Sequence, residues 1–329
     1  MKYMTVLGTR PEVIKLYPVI KELKPYVALT GQHKDLARDT ANELGIQIDE
    51  DLSVMTRNQS LTSLTIKLHQ KLADLYERMK PNLVIVQGDT TSAMVAALEA
   101  FYHQIPVAHV EAGLRTNDPY APFPEEINRR IITQLATYNF APTTEALRAA
   151  TLEGWGYSYK VGQTGIDTLL HFAKKIKAKK KKKLLITLHR RENFDKIPEI
   201  IAKIAEFLLE NEDWEAIMPV HPNPNISKVI YGSNIKHLVK LVKPLGYLEM
   251  LKEMKESSLI VTDSGGLQEE AAALKIPVYV ARSVTERPEG VEEGFARMLE
   301  DTIEVFKVPN KENPYGDGKS GRRIASYLK

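Results

Sequence analysis

LIVTDSGGLQEE, residues 259–270, holds a strand, a turn and a helix start in one short stretch. The apolar run Leu259–Val261 reads as a buried strand. It breaks at Asp263-Ser264-Gly265-Gly266 and resumes as an Ala- and Glu-rich helix. Paired glycines let a ligand approach the backbone, and the free amides of a helix start favour phosphate. Glu269 and Glu270, one turn in, are placed to accept hydrogen bonds from ribose hydroxyls. The stretch therefore suggests a nucleoside diphosphate handle, although a tight strand-to-helix turn without a ligand has the same pattern.

The same alternation extends in both directions. Tyr3–Leu7, Tyr26–Leu29, Leu83–Gln87 and Pro106–Val110 are apolar strands in the first half, each ending in a polar cluster. These clusters are Gly8-Thr9-Arg10-Pro11-Glu12, Thr30-Gly31-Gln32-His33, Gly88-Asp89 and Glu111-Ala112-Gly113. In the second half Leu184–Leu188 ends at His189-Arg190-Arg191-Glu192-Asn193, Ala216–Val220 at His221, and Pro277–Ala281 near Arg282. Continuous apolar runs separated by helices predict parallel sheets covered on both faces. The fold class expected is α/β, with two doubly wound Rossmann-like domains, residues 1–170 and 171–318, joined near 168–183. In such sheets ligands bind beyond the carboxyl ends of the strands, where the polar clusters lie.

Composition narrows the classes. The 329 residues suffice for two cores, and 43% hydrophobic with 26% charged residues is ordinary for a globular enzyme. No run approaches a membrane span, and Met1–Arg10 lacks the apolar core of a secretory signal, so a cytoplasmic location with no membrane partner is expected. Cysteine is absent, which excludes disulfides, zinc–thiolate sites and cysteine nucleophiles. The net charge of +3 belongs to one segment: setting aside the eight lysines within Lys174–Lys183 takes it to −5. That run reads as a solvated linker, and no nucleic-acid partner is expected.

Three acids, Asp89, Glu111 and Glu125, fall at or after the carboxyl ends of first-half strands. Glu125 follows the proline-rich loop Asp118–Pro124 and should start a helix. Carboxylates close together in a cleft acquire raised pKa values and can serve as general acids or bases. Arg129, four residues on, shares a helical face with Glu125 and is placed to orient it. Arg10 and Lys15 add positive charge after the first strand, and the arginines beside His189 suit phosphate oxygens. Each feature alone also fits a cap, an exposed salt bridge or a structural histidine. Asp49-Glu50-Asp51 resembles a metal-binding Asp-x-Asp but sits in a polar connector; no His/Asp/Glu spacing suggests a metal cage, and neither a P-loop nor a dinucleotide fingerprint is present.

Together the segments resemble the non-hydrolysing UDP-N-acetylglucosamine 2-epimerases nearly end to end. They are Gly8–Lys15 (GTRPEVIK), Thr30–His33 (TGQH), Gln87–Thr91 (QGDTT), His109–Thr116 (HVEAGLRT), Pro124–Arg129 (PEEINR), His189–Asn193 (HRREN), Asp263–Glu270, Thr285–Glu289 (TERPE) and Asn313–Gly318 (NPYGDG). The resemblance implies reversible epimerisation of UDP-N-acetylglucosamine to UDP-N-acetylmannosamine, for cell-surface polysaccharide precursors. It implies a 2-acetamidoglucal intermediate and no cofactor. A GT-B glycosyltransferase-like architecture is also implied, with the active site in the interdomain cleft, a C-terminal helix at about 319–329 packed back on the first domain, and a homodimer.

Carried residue by residue, the resemblance gives Asp89, Glu111 and Glu125 acid/base work and sugar-cation stabilisation, without deciding which acid takes which proton. Arg10 suits the departing diphosphate, and Lys15 and His189 contact diphosphate and sugar. Ser264, Gly265 and Gly266 hold the phosphates, Glu270 the ribose, Arg287 the substrate end, and Leu245 and Met250 flank the uracil. Met250 replaces an aromatic usual at that position. Gln32, His33, Arg190 and His221 match a second, activating nucleotide-sugar site, from which Asp35 and Lys67 depart. A hydrolysing epimerase releasing N-acetylmannosamine and UDP, and a GT-B glycosyltransferase, remain the alternatives.

Overall fold

The computed structural model describes every residue except His33, Arg57, Asn58, Pro222 and Glu286, and describes Lys34, Asp35, Arg191 and Glu192 through their backbone only. The chain divides into two compact units, Met1–Thr168 with Tyr315–Lys329, and Leu169–Pro314. The first contains β1 (Tyr3–Leu7), β2 (Tyr26–Leu29), β3 (Glu50–Asp51), β4 (Leu83–Gln87), β5 (Val107–Val110), β6 (Tyr138–Ala141) and β7 (Tyr157–Lys160). Its helices are α1 (Arg10–Leu23), α2 (Lys34–Leu44), α3 (Leu61–Met79), α4 (Thr91–Tyr102), α5 (Glu125–Leu135) and α6 (Thr144–Glu153). The boundary falls inside α7 (Thr164–Ala173).

The second unit contains β8 (Lys183–Thr187), β9 (Glu215–Pro219), β10 (Lys240–Val242), β11 (Leu259–Thr262), β12 (Val278–Val280) and β13 (Ala296–Met298). Its helices are α8 (Ile197–Glu210), α9 (Pro224–Gly232), α10 (Tyr247–Glu256), α11 (Gly265–Ala273) and α12 (Pro288–Glu292), with short 3-10 turns at Arg191–Lys196 and Asn234–His237. The last helix, α13 (Ser320–Leu328), belongs to the first unit and packs on α1. Its amino end is held by Asp167, which accepts from Ser320 N at 3.1 Å and Gly321 N at 2.8 Å.

Every strand pair is parallel. The orders are β3-β2-β1-β4-β5-β6-β7 and β10-β9-β8-β11-β12-β13, so each sheet runs outward from its first strand in both directions. That doubly wound order creates a switch point between β1 and β4 in one unit and between β8 and β11 in the other. The strands read as unbroken apolar runs because both faces are covered. In β8, Leu184 and Ile186 face α8 through Ile197, Ile200, Ile201 and Ile204, while Leu185 joins Ile260, Val278 and Met254 on the other side. In the first unit, Leu64, Leu68 and Leu72 of α3 recur every fourth residue and pack with Val84 and Val86 and with Ala93, Ala96 and Ala97 of α4.

Two expectations are corrected. Glu50 and Asp51 form the edge strand β3 and not a connector; Glu50 accepts from Tyr26 Oη at 2.8 Å and pairs with Arg78 at 2.6 Å, and Asp51 pairs with Arg38. The lysine run is not wholly solvated: Lys183 opens β8, is buried, and pairs with Glu253 and, at 3.0 Å, with Glu256. Among the described residues no helix is long and apolar enough to cross a membrane.

The turn after β5 is the tightest constraint on site geometry. Glu111 has φ +66° and Gly113 φ +88°, and a Cβ on Gly113 would sit 1.8 Å from the carbonyl oxygen of Ala146 in α6. Gly113→Ala is expected to lower stability by on the order of 3 kcal/mol or more in chemical denaturation, since backbone strain and a backbone clash coincide. A loss under about 0.5 kcal/mol would contradict this packing.

Candidate active site

In the first unit the candidate residues gather at the carboxyl ends of β1, β4 and β5. Gln87 ends β4, and Gly88 (φ +72°) turns the chain so that Asp89 leaves the sheet edge. Buried His109 donates from Nε2 to Gly88 O at 2.8 Å, and Asn128 donates to Asp89 O at 2.9 Å, which pins that turn. Burial pushes the His109 imidazole down to about 4, so it serves as a neutral donor. Asp89 pairs with Arg129 of α5. Burial nevertheless raises its pKa; the Arg129 guanidinium opposes that rise and the neighbouring Glu111 charge adds to it.

Glu111 sits in a different electrostatic setting. Lys15 of α1 brings its ammonium within 2.7 Å of Oε1 and 2.5 Å of Oε2, while Gln87 donates to Oε2 at 2.8 Å. Glu111 holds this place in a left-handed backbone conformation (φ +66°), which costs a non-glycine residue about 1 kcal/mol. Glu125 begins α5 as expected, half-buried. Its expected orientation by Arg129 is overturned: Arg129 turns to Asp89 and, at 3.4 Å, to Glu126. The reason is that Glu126 and not Glu125 is the buried member of the doublet. It accepts from Thr116 N at 3.1 Å and pairs with Arg130 at 3.0 Å, tying the loop after β5 to α5. Arg10 opens α1 after β1, half-buried.

The second unit gathers its candidates at the ends of β8 and β11. Ser264 caps α11, and its amide donates to Thr262 Oγ1 at 3.0 Å. Gly266 has open space where a Cβ would stand, and at Gly265 the nearest atoms are those of the Arg287 guanidinium, 3.9 Å away. Neither glycine has positive φ. Internal packing thus gives no reason for two glycines, and an external group approaching the first turn does. Arg287 pairs with Glu269, so that buried carboxylate is engaged inside the protein and the expectation that it meets ribose is corrected. Glu270, half-buried, follows it on α11.

His189 stands directly beyond β8 with Nδ1 3.1 Å from Asp263 Oδ1, its ring stacked on His221 at a 6.3 Å centroid distance. Leu245 lies in the segment before α10, and Met250, on α10, packs against the core around Leu185 and Ile260. Of the activator candidates, Gln32 belongs to the first unit, where its Oε1 accepts from Ser92 Oγ at 2.7 Å. Arg190 and His221 belong to the second unit, and His33 lies outside the described residues. Lys67 donates to Thr56 Oγ1 at 2.9 Å, and the Asp35 side chain lies outside the description. Among the described residues no group of His, Asp and Glu is arranged to hold a metal ion.

Sequence reasoning missed Glu12, Gln87, Glu126 and Asp263, which position the candidates. Glu12 is 1% exposed and accepts from Gly8 N at 2.7 Å, from Thr9 N at 2.5 Å and from Thr90 Oγ1 at 2.7 Å. The pattern Thr9-x-x-Glu12 ahead of an apolar-periodic helix was the available signal, because it is a capping box. A polar residue closing a buried strand, as Gln87 does, was another.

The UDP-N-acetylglucosamine 2-epimerase family model matches residues 20–329. A UDP-N-acetylglucosamine 2-epimerase of Campylobacter jejuni is 37% identical, covering 99% of this chain and 97% of the relative. The crystal structure of UDP-GlcNAc 2-epimerase from Neisseria meningitidis bound to UDP-GlcNAc is 37% identical with a TM-score of 0.88, over 100% of this chain and 99% of that one. The Methanocaldococcus jannaschii enzyme in complex with UDP-GlcNAc and UDP is 35% identical with a TM-score of 0.85, over 100% and 99%. Both neighbours are matched over both units of this chain, each unit being a doubly wound, Rossmann-like parallel sheet. A glycotransferase of kitacinnamycin, 12% identical with a TM-score of 0.58 over 99% and 91%, shares the fold alone.

Burial raises the Glu12 carboxyl to about 7, against hydrogen bonds from Thr90, Gly8 and Thr9 that lower it. A raised folded-state pKa means that the associated stability, on the order of 3 kcal/mol, is present below about pH 4.5 and is lost as pH rises through about 7. Glu12→Gln keeps an oxygen for the two amides and an N–H for Thr90. The parent's unfolding free energy is expected to decline relative to that of the variant from pH 5 to 8; parallel profiles would contradict the buried, protonatable carboxyl.

Proposed function

The chain belongs to the UDP-N-acetylglucosamine 2-epimerase family, and from that membership we propose that it interconverts UDP-N-acetylglucosamine and UDP-N-acetylmannosamine by a non-hydrolysing route. The observation that carries the epimerisation step is a pair of carboxylates at adjacent strand ends in opposite settings, Asp89 with its pKa raised by burial and Glu111 facing the Lys15 ammonium; the non-hydrolysing route rests on the family resemblance. Transferring a proton off one face of a carbon and onto the other calls for groups of unequal proton affinity.

The chemistry explains the rest of the set. The proton on C2 of the sugar is not acidified by an adjacent carbonyl, so direct abstraction is unreasonable. Breaking the anomeric C–O bond sends its electron pair to the diphosphate and leaves a cationic sugar. Loss of the C2 proton to an enzyme base then gives 2-acetamidoglucal and free UDP. Protonation of C2 on the other face and return of UDP to C1 give the epimer, with atoms and charge conserved. Asp89, Glu111 and Glu125 serve the sugar, and Lys15 and Arg129 set the charge around the first two. This moves Arg129 from Glu125 to Asp89 as its positioning residue.

The second unit holds UDP. Ser264, Gly265 and Gly266 offer the first-turn amides of α11 to the phosphates, Glu270 meets the ribose, and Arg287 stands beside Gly265. His189 and Arg10 supply further donors to the departing diphosphate, and Leu245 and Met250 flank the base. Relatives solved with UDP-GlcNAc, or with UDP-GlcNAc and UDP, support that assignment.

A proton and phosphorus NMR time course on UDP-N-acetylglucosamine with no acceptor tests the route. The expected product is an epimer that stays UDP-linked until equilibrium. Accumulation of free N-acetylmannosamine with UDP would make the enzyme hydrolysing, and no turnover without an acceptor would make it a transferase. Asp89→Asn and Glu111→Gln are each expected to lower kcat by about 10²–10⁴-fold with the fold intact; activity within about threefold of the parent would remove either acid from the mechanism.

A further inference from the structure

We propose that Asp263 is a positioning residue for this reaction: its carboxylate fixes the His189 imidazole in one orientation and one tautomer, with the proton on Nδ1 and Nε2 as the working atom. The inference rests on the reading that His189 serves the diphosphate.

The two residues meet at the switch point of the second sheet. His189 lies two residues beyond the end of β8 and Asp263 one residue beyond that of β11, and these strands pair through Thr187 and Thr262. The threonine hydroxyls lie 2.6 Å apart, and Asp263 N donates to Thr187 O at 3.2 Å, so the two strand ends are tied. The Asp263 side chain is 1% exposed, yet its oxygens are fully engaged. His189 N donates to Oδ1 at 3.1 Å and to Oδ2 at 2.9 Å, Arg190 N to Oδ2 at 2.9 Å, and Asn193 Nδ2 to Oδ2 at 3.3 Å. His189 Nδ1 is the fourth group in this set, 3.1 Å from Oδ1.

An ionised carboxylate only accepts. A ring nitrogen held against it must therefore carry a proton, which leaves Nε2 of the neutral ring as an acceptor and of the imidazolium as a donor. Burial alone would raise the Asp263 carboxyl, but the hydrogen bonds from His189 and the Arg190 amide hold it below the usual range, so it stays charged. With Nδ1 held against Asp263, Nε2 is the ring nitrogen left to meet a ligand, and in the imidazolium its N–H suits a phosphate oxygen as the C–O bond breaks. His221, the ring on the other side, is pushed down by burial and by His189, so it stays neutral. His189 is 39% exposed; the Asp263 carboxylate fixes its ring through Nδ1, and the stacked His221 ring lies against its face.

The simpler view is that Asp263 only closes the β8 turn through the backbone amides. Asp263→Asn separates the two roles. It keeps an oxygen for those amides but presents an N–H to Nδ1, which forces the opposite tautomer. The expected outcome is a folded protein with kcat lowered by about 10²–10⁴-fold and KM for UDP-N-acetylglucosamine changed by less than about threefold. Added to His189→Ala, the same change should cost less than about threefold more, because two residues acting as one unit are not additive. Nitrogen-15 NMR of histidine-labelled parent enzyme should show His189 protonated on Nδ1 when neutral, a readout that does not depend on the variant folding. A parent ring protonated on Nε2 overturns the proposal. So does a His189→Ala loss that Asp263→Asn does not share, or losses that multiply in the double variant. If His189→Ala itself leaves kcat unchanged, the role given to His189 falls and the proposal with it, an outcome distinct from failure of Asp263 alone.

Discussion

In each unit a buried carboxylate accepts the backbone amides that follow the first strand and ties them to the neighbouring strand across the switch point. Glu12 does this in the first unit, taking the amides of Gly8 and Thr9 beyond β1 and the hydroxyl of Thr90 beyond β4. Asp263 does it in the second, standing beyond β11 and taking the amides of His189 and Arg190 beyond β8. The two acids come from different places in the chain, one from the first turn of a helix and one from a strand end. The common cause is physical. A parallel sheet ends in a row of turns whose amides have no partner strand, and a buried turn must satisfy them or lose about 1–3 kcal/mol for each.

Everything chemical in the two clusters hangs from these ties. Fixing Gly8 and Thr9 fixes where α1 starts, and so where Lys15 meets Glu111. Fixing Thr90 fixes the turn that carries Asp89, which His109 and Asn128 pin from the other side. In the second unit the Asp263 tie sets His189 beside the open first turn of α11, where the paired glycines leave space. Positive charge is distributed to match: Lys15 and Arg129 face the acids, and Arg287, anchored by Glu269, flanks the helix start. Preorganised charge of this kind needs no rearrangement as a leaving group departs, which is why it is effective.

The sequence made the central strands legible, because strands covered on both faces are unbroken apolar runs bounded by turn residues. β3, β6, β7, β10 and β13 escaped because none is an unbroken apolar run; β6, though an inner strand, is interrupted by the buried Asn139. Glu50–Asp51 is acidic, Tyr157–Lys160 is a half-exposed edge, and Val278–Val280 was readable where Ala296–Met298, equally short, was not, because only the former is wholly apolar and buried. Among site residues, those next to a strand end were readable from position alone. Partnership was not: Arg129 shares a helical face with Glu125, yet the buried Glu126 and the Asp89 turn claim it. Helical spacing says which side chains can meet, while burial decides which charges must. Glu12 and Asp263 were hidden for a related reason, since a carboxylate that only accepts backbone amides looks like a cap until the turn it holds is seen to carry a candidate catalytic group.

On the proposed route, first-unit acids remove the proton from C2 of the sugar and return one from the enzyme. Running the reaction in deuterium oxide and reading C2 of both nucleotide sugars by NMR tests it directly. Deuterium is expected at C2 of every newly formed epimer, with its gradual entry into the starting sugar as the reaction reverses. An epimer that forms with its original hydrogen still on C2 would contradict it.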